Sequence, residues 1–329
     1  MRNDKALVLN ARTTDAEVMP LRPLLALLAL SATWGASYLL IAVALETTSA
    51  ATLTFLRFLP AAVLVGLLAR ARGQLRSLRG RWTAVVVLAF VQQAAPMLLI
   101  AVGERRIPSG LAGTLVAATP LWGALLAPLL GGPRPSRATW VGLLTGIVGV
   151  GMLLGASTSG AAVVGCLLVL LAAVGYAVGA AWTARRFPDV PRLGLLTGVL
   201  TASSLWLLVP VLLDPPTRVP DGQGLAAIAV LGLGGTGIAF ILMYWLIAEV
   251  GPERTTLVTY LAPVFAVAYG TVLLDEALTA LSVAGLALVV AGAWLAGRRP
   301  RAALAVPAQQ GAPAAPAGDA GARREAART

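Results

Sequence analysis

Apolar residues fill ten stretches of the chain between Leu21 and Gly297, each roughly 19 to 25 residues long, and short polar loops separate them. A helix of ~20 residues, rising 1.5 Å per residue, crosses the hydrocarbon core of a bilayer. Only helices and closed barrels satisfy the backbone inside lipid, and the alternating pattern of a barrel strand is absent. The pattern therefore predicts an all-α polytopic membrane protein with ten transmembrane helices. The predicted spans are 21–45, 49–69, 82–102, 108–130, 138–156, 161–184, 193–213, 224–248, 253–274 and 279–297.

Positive charges concentrate in the two tails and in every second loop. Of the 25 Lys and Arg residues, 21 fall in these segments, which lie on one side of the membrane if the chain crosses ten times. An excess of Lys and Arg marks cytoplasmic loops. We therefore expect a multi-pass protein of the plasma (inner cell) membrane with both termini in the cytoplasm. This distribution also explains the net charge of +11 without a nucleic-acid partner.

Composition narrows the remaining classes. Hydrophobic residues make up 58% of the chain and charged residues 12%, too few charges for an ordinary soluble surface. There is no histidine, and Cys166 is the only cysteine, so an intrachain disulfide and a Cys/His metal site are excluded. We expect neither a metal nor a cofactor. The first apolar stretch exceeds a signal-peptide core, which favours a retained helix.

The two halves of the chain share a pattern at one fixed offset of 143 residues. Pro120, Gly142 and Gly149 pair at that offset with Pro263, Gly285 and Gly292. Five spans precede five more, and because five is odd, the second set enters the membrane in the opposite sense. Inverted repeats of this kind are typical of carriers that open alternately to either side.

Several motifs occur in an order that resembles the EamA branch of the drug/metabolite transporter superfamily. The first span contains Ala-Thr-Trp-Gly-Ala-Ser-Tyr at 32–38, and the second contains Leu-Arg-Phe at 56–58. The eighth span contains Gly-Thr-Gly-Ile-Ala-Phe at 235–240. The ninth contains Tyr-Leu-Ala-Pro-Val-Phe at 260–265, followed by Asp-Glu-Ala-Leu-Thr at 275–279. Two positions depart from the family pattern: Asp275 replaces a Gly, and Pro133 stands where the first repeat would carry a Glu like Glu276.

The resemblance implies two inverted five-helix repeats around a central cavity and transport of small metabolites. Residues 21–156 and 161–297 would form the two EamA-like repeats. Residues 1–20 would be a cytoplasmic tail, and residues 298–329, rich in Ala, Pro and Gly, a disordered cytoplasmic tail. The expected partners are a small-molecule substrate and the lipid bilayer, with the protein a monomer or a homodimer.

A carrier needs polar and aromatic side chains at mid-depth, facing one another across a cavity. Proline also frees a carbonyl and bends a helix, which makes Pro120 and Pro263 candidates. An interfacial belt or a helix-packing role is the alternative for the aromatic and hydroxyl side chains, and we favour packing for Thr236. The candidate substrate-binding residues are Trp34, Tyr38, Arg57, Gln92, Gln93, Pro120, Tyr176, Thr236, Tyr244, Tyr260 and Pro263.

Arg57 is the single charge well inside a predicted span. One hypothesis has its side chain extend outward toward Glu46, a structural role; the other has it bind a substrate carboxylate in the cavity. We expect no acidic residue at mid-membrane, which disfavours proton coupling through a buried carboxylate and favours facilitated diffusion or exchange.

The Gly-rich run at 232–237 contains the letters of a dinucleotide-binding motif, but no strand precedes it. Close helix packing explains it better. The sequence thus predicts a transporter of amino acids or similar amphipathic compounds, working as an exporter by alternating access, and no enzyme activity. The alternative is a membrane-embedded enzyme or sensor without transport activity.

Overall fold

The computed structural model describes residues 19–155, 159–216 and 219–297, and within these ranges the chain is helical, with no strand. The predicted N-terminal tail, apart from Met19 and Pro20, and the C-terminal tail that we predicted to be disordered lie outside the described residues. In chain order the helices are α1 Leu21–Leu45, α2 Ala50–Ala71, α3 Trp82–Glu104, α4 Ser109–Leu126, α5 Arg137–Gly155, α6 Gly160–Arg186, α7 Arg192–Leu213, α8 Gly222–Thr255, α9 Leu257–Leu273 and α10 Ala280–Gly297.

In the described part of the chain, nine of these helices are long and apolar enough to cross a membrane, and α9 is a shorter apolar helix. Gly251 breaks the regular backbone within α8, at φ 82° and ψ 165°. The turn of helix after this break leads into α9 and lengthens the ninth crossing. The ten predicted spans and the all-α membrane class are confirmed.

Contacts between loops show which helix ends lie together. Thr47, between α1 and α2, donates a hydrogen bond to Asp221 at the start of α8, with an O–O distance of 3.4 Å. At the other end of the bundle Arg81 forms a two-bond ion pair with Asp189, at 2.8 and 2.7 Å. The hydrogen bonds from Arg81 lower the pKa of Asp189 below its ordinary value. We call the first end the Glu276 end, because Glu276 contacts the start of α4 there, and the second the Arg81 end.

Helices α5 and α10, the fifth helices of the two repeats, cross through reciprocal glycine contacts. A Cβ on Gly142 would lie 2.6 Å from the carbonyl oxygen of Gly292, and a Cβ on Gly149 would lie 2.8 Å from that of Gly285. The repeat offset of 143 relates Gly142 to Gly285 and Gly149 to Gly292, so each glycine of α5 contacts the counterpart of the other. This exchange is what a two-fold axis between the repeats requires, and it supports the inverted arrangement.

Three of the helices have irregular backbone at their centres. Helix α3 contains a π-helical turn at Phe90–Ala94, and α8 contains one at Val230–Ile238. These turns occupy equivalent places in the two repeats, and such turns occur frequently at functional sites. Helix α4 is interrupted at Ala117 and Ala118, just before Pro120, whereas α9 continues through Pro263. The predicted break in the helix is therefore present in α4, whereas α9 has no interruption at Pro263.

The outside of the bundle is apolar, because large aliphatic side chains face outward along most helices. Examples are Leu67, Leu144, Leu171, Val230 and Val272, each more than half exposed. Water would not tolerate so continuous an apolar surface, and the lipid chains of a bilayer would cover it.

Candidate functional site

Arg57 points into the bundle and not toward the membrane surface. It is 2% exposed, and its Nε donates a hydrogen bond to Oγ1 of Thr236 at 2.8 Å. Thr236 in turn donates to the carbonyl of Leu231, five residues earlier in the π-helical turn of α8, at 3.0 Å. No ion pair joins Arg57 to the exposed Glu46 in the described part of the chain, so the contact that the structural hypothesis expected is absent there. One terminal nitrogen of Arg57, Nη1, has no hydrogen-bond partner among the described residues.

The glycines of α8 make this burial of Arg57 feasible. A Cβ at Gly232 would lie 2.7 Å from the carbonyl oxygen of Arg57, and one at Gly235 would lie 3.0 Å from the hydroxyl of Ser37. These contacts bring the π-helical turn directly against α1 and α2. Close packing therefore explains the Gly-rich run, as the sequence had indicated.

Glu104, the last residue of α3, is the second buried charge. Its side chain is 9% exposed, and neither carboxylate oxygen has a hydrogen-bond partner in the described part of the chain. Arg57 and Glu276 both interact with it electrostatically. No N–O distance between Arg57 and Glu104 falls within 4.0 Å, so the two described side chains form no direct ion pair.

Sequence reasoning missed Glu104: no acidic residue was expected at mid-membrane, and Glu104 lies at the end of α3, yet it is buried in the bundle. Glu104 directly precedes Arg105 and Arg106, which are exposed, so this polar run is typical of a surface loop. A signal was nevertheless present: Ile100 and Ala101 lie four and three residues earlier, on the same helix face, and both are buried.

Two tyrosines complete the group around these charges. Tyr38 and Tyr176 interact electrostatically with Arg57, and Tyr38 also does so with Glu104. The Tyr38 ring also lies against Gly113 of α4. We call Tyr38, Arg57, Glu104, Tyr176 and Thr236 the central cluster; its members come from α1, α2, α3, α6 and α8, so both repeats contribute.

An aromatic row leads away from the middle of the bundle toward the Arg81 end. The Trp34 and Phe240 rings meet edge to face with centroids 5.9 Å apart, and Phe240 lies 6.4 Å from Tyr244. The guanidinium carbon of Arg192, the first residue of α7, is 5.8 Å from the Tyr244 ring centroid. Aromatic faces attract cations, so this row ends in a cation–π contact.

The two glutamines lie in the π-helical turn of α3. Thr183 of α6 donates a hydrogen bond to Oε1 of Gln92 at 3.2 Å, and Gln92 packs against Gly179. Gln93 is 5% exposed, and its Oε1 has no partner among the described residues. Gln92 therefore joins two helices, whereas Gln93 retains an unsatisfied acceptor in the interior.

The contacts of Tyr260, Pro120 and Pro263 are apolar or structural. Tyr260 donates to the carbonyl of Ala293 at 3.3 Å and lines an apolar groove of about 610 Å³ between α9 and α10 on the outside of the bundle. Pro120 follows the interruption of α4, and Pro263 is buried in the middle of α9.

Glu276 joins the two repeats across one end of the bundle. It follows α9, and its carboxylate accepts hydrogen bonds from the backbone nitrogens of Ser109 at 2.6 Å and Gly110 at 3.0 Å, at the start of α4. A side chain at Gly270 would collide with this carboxylate. A carboxylate is stabilised at a helix N-terminus by the free N–H groups and the helix dipole.

These features define a class of protein: a polytopic membrane protein of two inverted five-helix repeats with charged and aromatic groups enclosed between them. The comparison with protein families is more specific. The EamA-like transporter family model matches residues 21–155 and 163–298, and the chain belongs to that family.

The relatives that the chain resembles carry transporter names. The chain is 28% identical to "Uncharacterized inner membrane transporter YedA" of Escherichia coli (strain K12), over 80% of this chain and 87% of that protein. It is 27% identical to "Probable terminal-alkyne amino-acid exporter" of Streptantibioticus cattleyicolor, over 81% of this chain and 90% of that protein. A crystal structure at 26% identity superposes with a TM-score of 0.63, covering 84% of this chain and 97% of the other.

Proposed function

We propose that this protein is a carrier of small metabolites, amino acids or similar amphipathic compounds, and that it exports them by alternating access. The observation that carries this proposal is the central cluster itself, in which Arg57 and Glu104 lie buried with polar atoms that no other described residue satisfies. Burying charges without partners is costly, and proteins retain such groups in membranes chiefly for function. The transporter and exporter names of the relatives support the same assignment over an enzyme or a sensor.

The asymmetry between the two ends supports alternating access. At the Glu276 end, the Glu276 carboxylate ties the second repeat to the first. The position related by the repeat offset is Pro133, which has no carboxylate, and Ser109 corresponds to Pro252, which has no N–H to donate. The Arg81 end therefore lacks an equivalent contact between a carboxylate and a helix N-terminus, and the exposed Arg81–Asp189 ion pair joins the repeats there instead. Breaking the Glu276 contact would open the cluster at the Glu276 end.

We further propose that the Arg81 end faces the cytoplasm. This end carries the Arg-rich segment at 70–81, and its loops hold most of the positive charge between the tails. The aromatic row from Trp34 to Tyr244 would then line the route by which a substrate enters from the cytoplasm.

Counterflow in proteoliposomes tests the transport function. Full-length protein is reconstituted with each of the twenty proteinogenic amino acids unlabelled inside, and uptake of the same labelled compound is followed. We expect at least one compound to accumulate transiently above protein-free liposomes, and an Arg57→Gln variant to reduce this uptake by tenfold or more. Uptake equal to protein-free liposomes for every compound, and for a wider metabolite panel, would contradict the proposed function.

A further inference from the structure

We infer that Glu104 and Arg57 together bind a zwitterion: Glu104 binds the ammonium group of an α-amino acid, and Arg57 binds its carboxylate. This inference rests on the proposed transport function and specifies its substrate chemistry. It assigns a direct binding role to Glu104, which neither the sequence motifs nor the family resemblance indicated.

The hydrogen-bonding atoms that the two side chains leave unused are complementary to the two charges of a zwitterion. Glu104 offers two carboxylate oxygens without hydrogen-bond partners, and Arg57 offers Nη1, likewise unpartnered within the described residues. An ammonium group carries three donors and needs acceptors, whereas a carboxylate needs donors. The guanidinium fork is suited to bind a carboxylate in this way.

The separation of the two charges argues for a ligand between them. Arg57 and Glu104 interact electrostatically, yet no N–O contact within 4.0 Å joins them in the described structure. In a low-dielectric interior an unscreened charge is expensive. A cation alone would neutralise Glu104 and leave Arg57 uncompensated, and an anion alone would do the reverse. A ligand with both charges compensates both residues at once.

The surroundings fix the direction in which the ligand would lie. Thr236 holds Nε of Arg57 and so orients the guanidinium, while the Nη1 side stays free. Glu276 adds negative charge near Glu104. The ammonium would therefore point toward the Glu276 end, and the carboxylate would lie deeper, beside Arg57. Tyr38 and Tyr176 lie within electrostatic range of Arg57 in this region.

Binding of matched compounds to the full-length protein in nanodiscs tests the inference. One set is L-leucine, 3-methylbutylamine and 4-methylpentanoate; the other is L-phenylalanine, phenethylamine and 3-phenylpropanoate. Within each set the side chain is constant, and one or both charges are present. For the wild type we expect the zwitterion to bind at least tenfold more tightly than either single-charge analogue in at least one set.

Variants then assign each charge to a residue. Glu104→Gln should bind the amino acid no better than the deaminated acid, while its affinity for that acid stays within twofold of wild type. Arg57→Gln should bind the amino acid no better than the corresponding amine, and Arg57→Lys should restore part of the preference for the amino acid over the amine. Glu46→Gln, which alters an exposed carboxylate at the same end, should behave as wild type.

The ratio of affinities within one variant is independent of how much protein is folded, so a partly misfolded variant still gives an answer. Equal binding of zwitterion and single-charge analogues by the wild type would overturn the inference, as would a Glu104→Gln variant that keeps the full preference. Failure of the wild type to bind any of the six compounds would also overturn it. Transport of a solute without these charges, unaffected by Glu104→Gln, would overturn the zwitterion site and leave the carrier function standing.

Discussion

Three ionisable side chains of this bundle differ in how far polar neighbours hold them. Arg57 is held by one strong hydrogen bond to Thr236, whose own hydroxyl is fixed by the carbonyl of Leu231. Glu276 is held by two backbone N–H groups. Glu104 differs from both, because its carboxylate has no such partner in the described structure. At the residue scale, the fold holds the Glu276 carboxylate at both oxygens, orients Arg57 through Nε while leaving Nη1 free, and leaves the Glu104 carboxylate available to a ligand.

Asp275 adopts a backbone conformation that suits glycine better. Its φ is 54°, the left-handed region, and the family pattern has a glycine at this position. We predict that Asp275→Gly raises the free energy of unfolding by about 1 kcal/mol, because a side chain in this region is strained. Thermal unfolding in detergent measures the change. Asp275→Ala, which removes the carboxylate but keeps a Cβ, should give no such gain; an equal gain from both would assign the effect to charge.

Helix packing here depends on glycines at crossing points. Gly149 of α5 faces the backbone of α10 so closely that an added Cβ would lie 2.8 Å from both the Gly285 oxygen and the Val289 nitrogen. Two residues later, Gly151 has nothing within 4 Å of an added Cβ. The same helix thus contains a crowded and an open glycine.

This pair gives a prediction at the scale of the element. Gly149→Ala should destabilise the protein by about 1–3 kcal/mol, because the two backbones must separate. Gly151→Ala should be neutral or stabilise by up to about 1 kcal/mol, since alanine loses less conformational entropy in a helix. Melting temperatures of the two variants in nanodiscs provide the measurement. Equal melting temperatures would show that the α5–α10 crossing is looser than described.

On the scale of the whole molecule, the Glu276 contact is expected to govern access to the central cluster from one side. We predict that Glu276→Gln weakens this closure. The glutamine side chain would place its amide NH₂, a donor, where one carboxylate oxygen now accepts from the N–H of Ser109 or Gly110, so one of the two hydrogen bonds would be lost. Ser109 is 2% exposed directly beneath the carboxylate and serves as a reporter when changed to cysteine.

The measurement uses Ser109→Cys in a Cys166→Ser background and a membrane-impermeant maleimide added outside intact cells. Glu276→Gln should raise the labelling rate about tenfold, whereas Asp275→Asn, a change of the adjacent exposed carboxylate, should leave it unchanged. An unchanged rate for Glu276→Gln would show that Glu276 does not govern access. Labelling only after the cytoplasmic side is exposed would reverse the proposed orientation.

Much of the architecture follows from the sequence, because its causes are local. Inside lipid each crossing must be a helix that satisfies its own backbone hydrogen bonds, so the lengths of the apolar runs indicate ten spans. Each repeat has five spans, an odd number, which indicates that the second repeat is inverted. Glycine and proline at a fixed offset identified the repeat, and the order of the motifs identified the family. Of the candidate residues, Tyr38, Arg57, Tyr176 and Thr236 lie together in the described structure. Their role in substrate binding stays a prediction.

Only the tertiary structure decided the rest, because it depends on which helix faces meet. The π-helical turns of α3 and α8 shift the faces of both helices, and hydropathy does not reveal them. Tyr260 turned outward to a groove on the lipid side, although its span and depth matched the other tyrosines. Glu104 turned inward, although it follows an apolar run and precedes two arginines, because its face of α3 is enclosed by neighbouring helices. A one-dimensional pattern determines how deep a residue lies in the membrane, whereas the packing of distant helices determines whether it meets lipid, protein or a ligand.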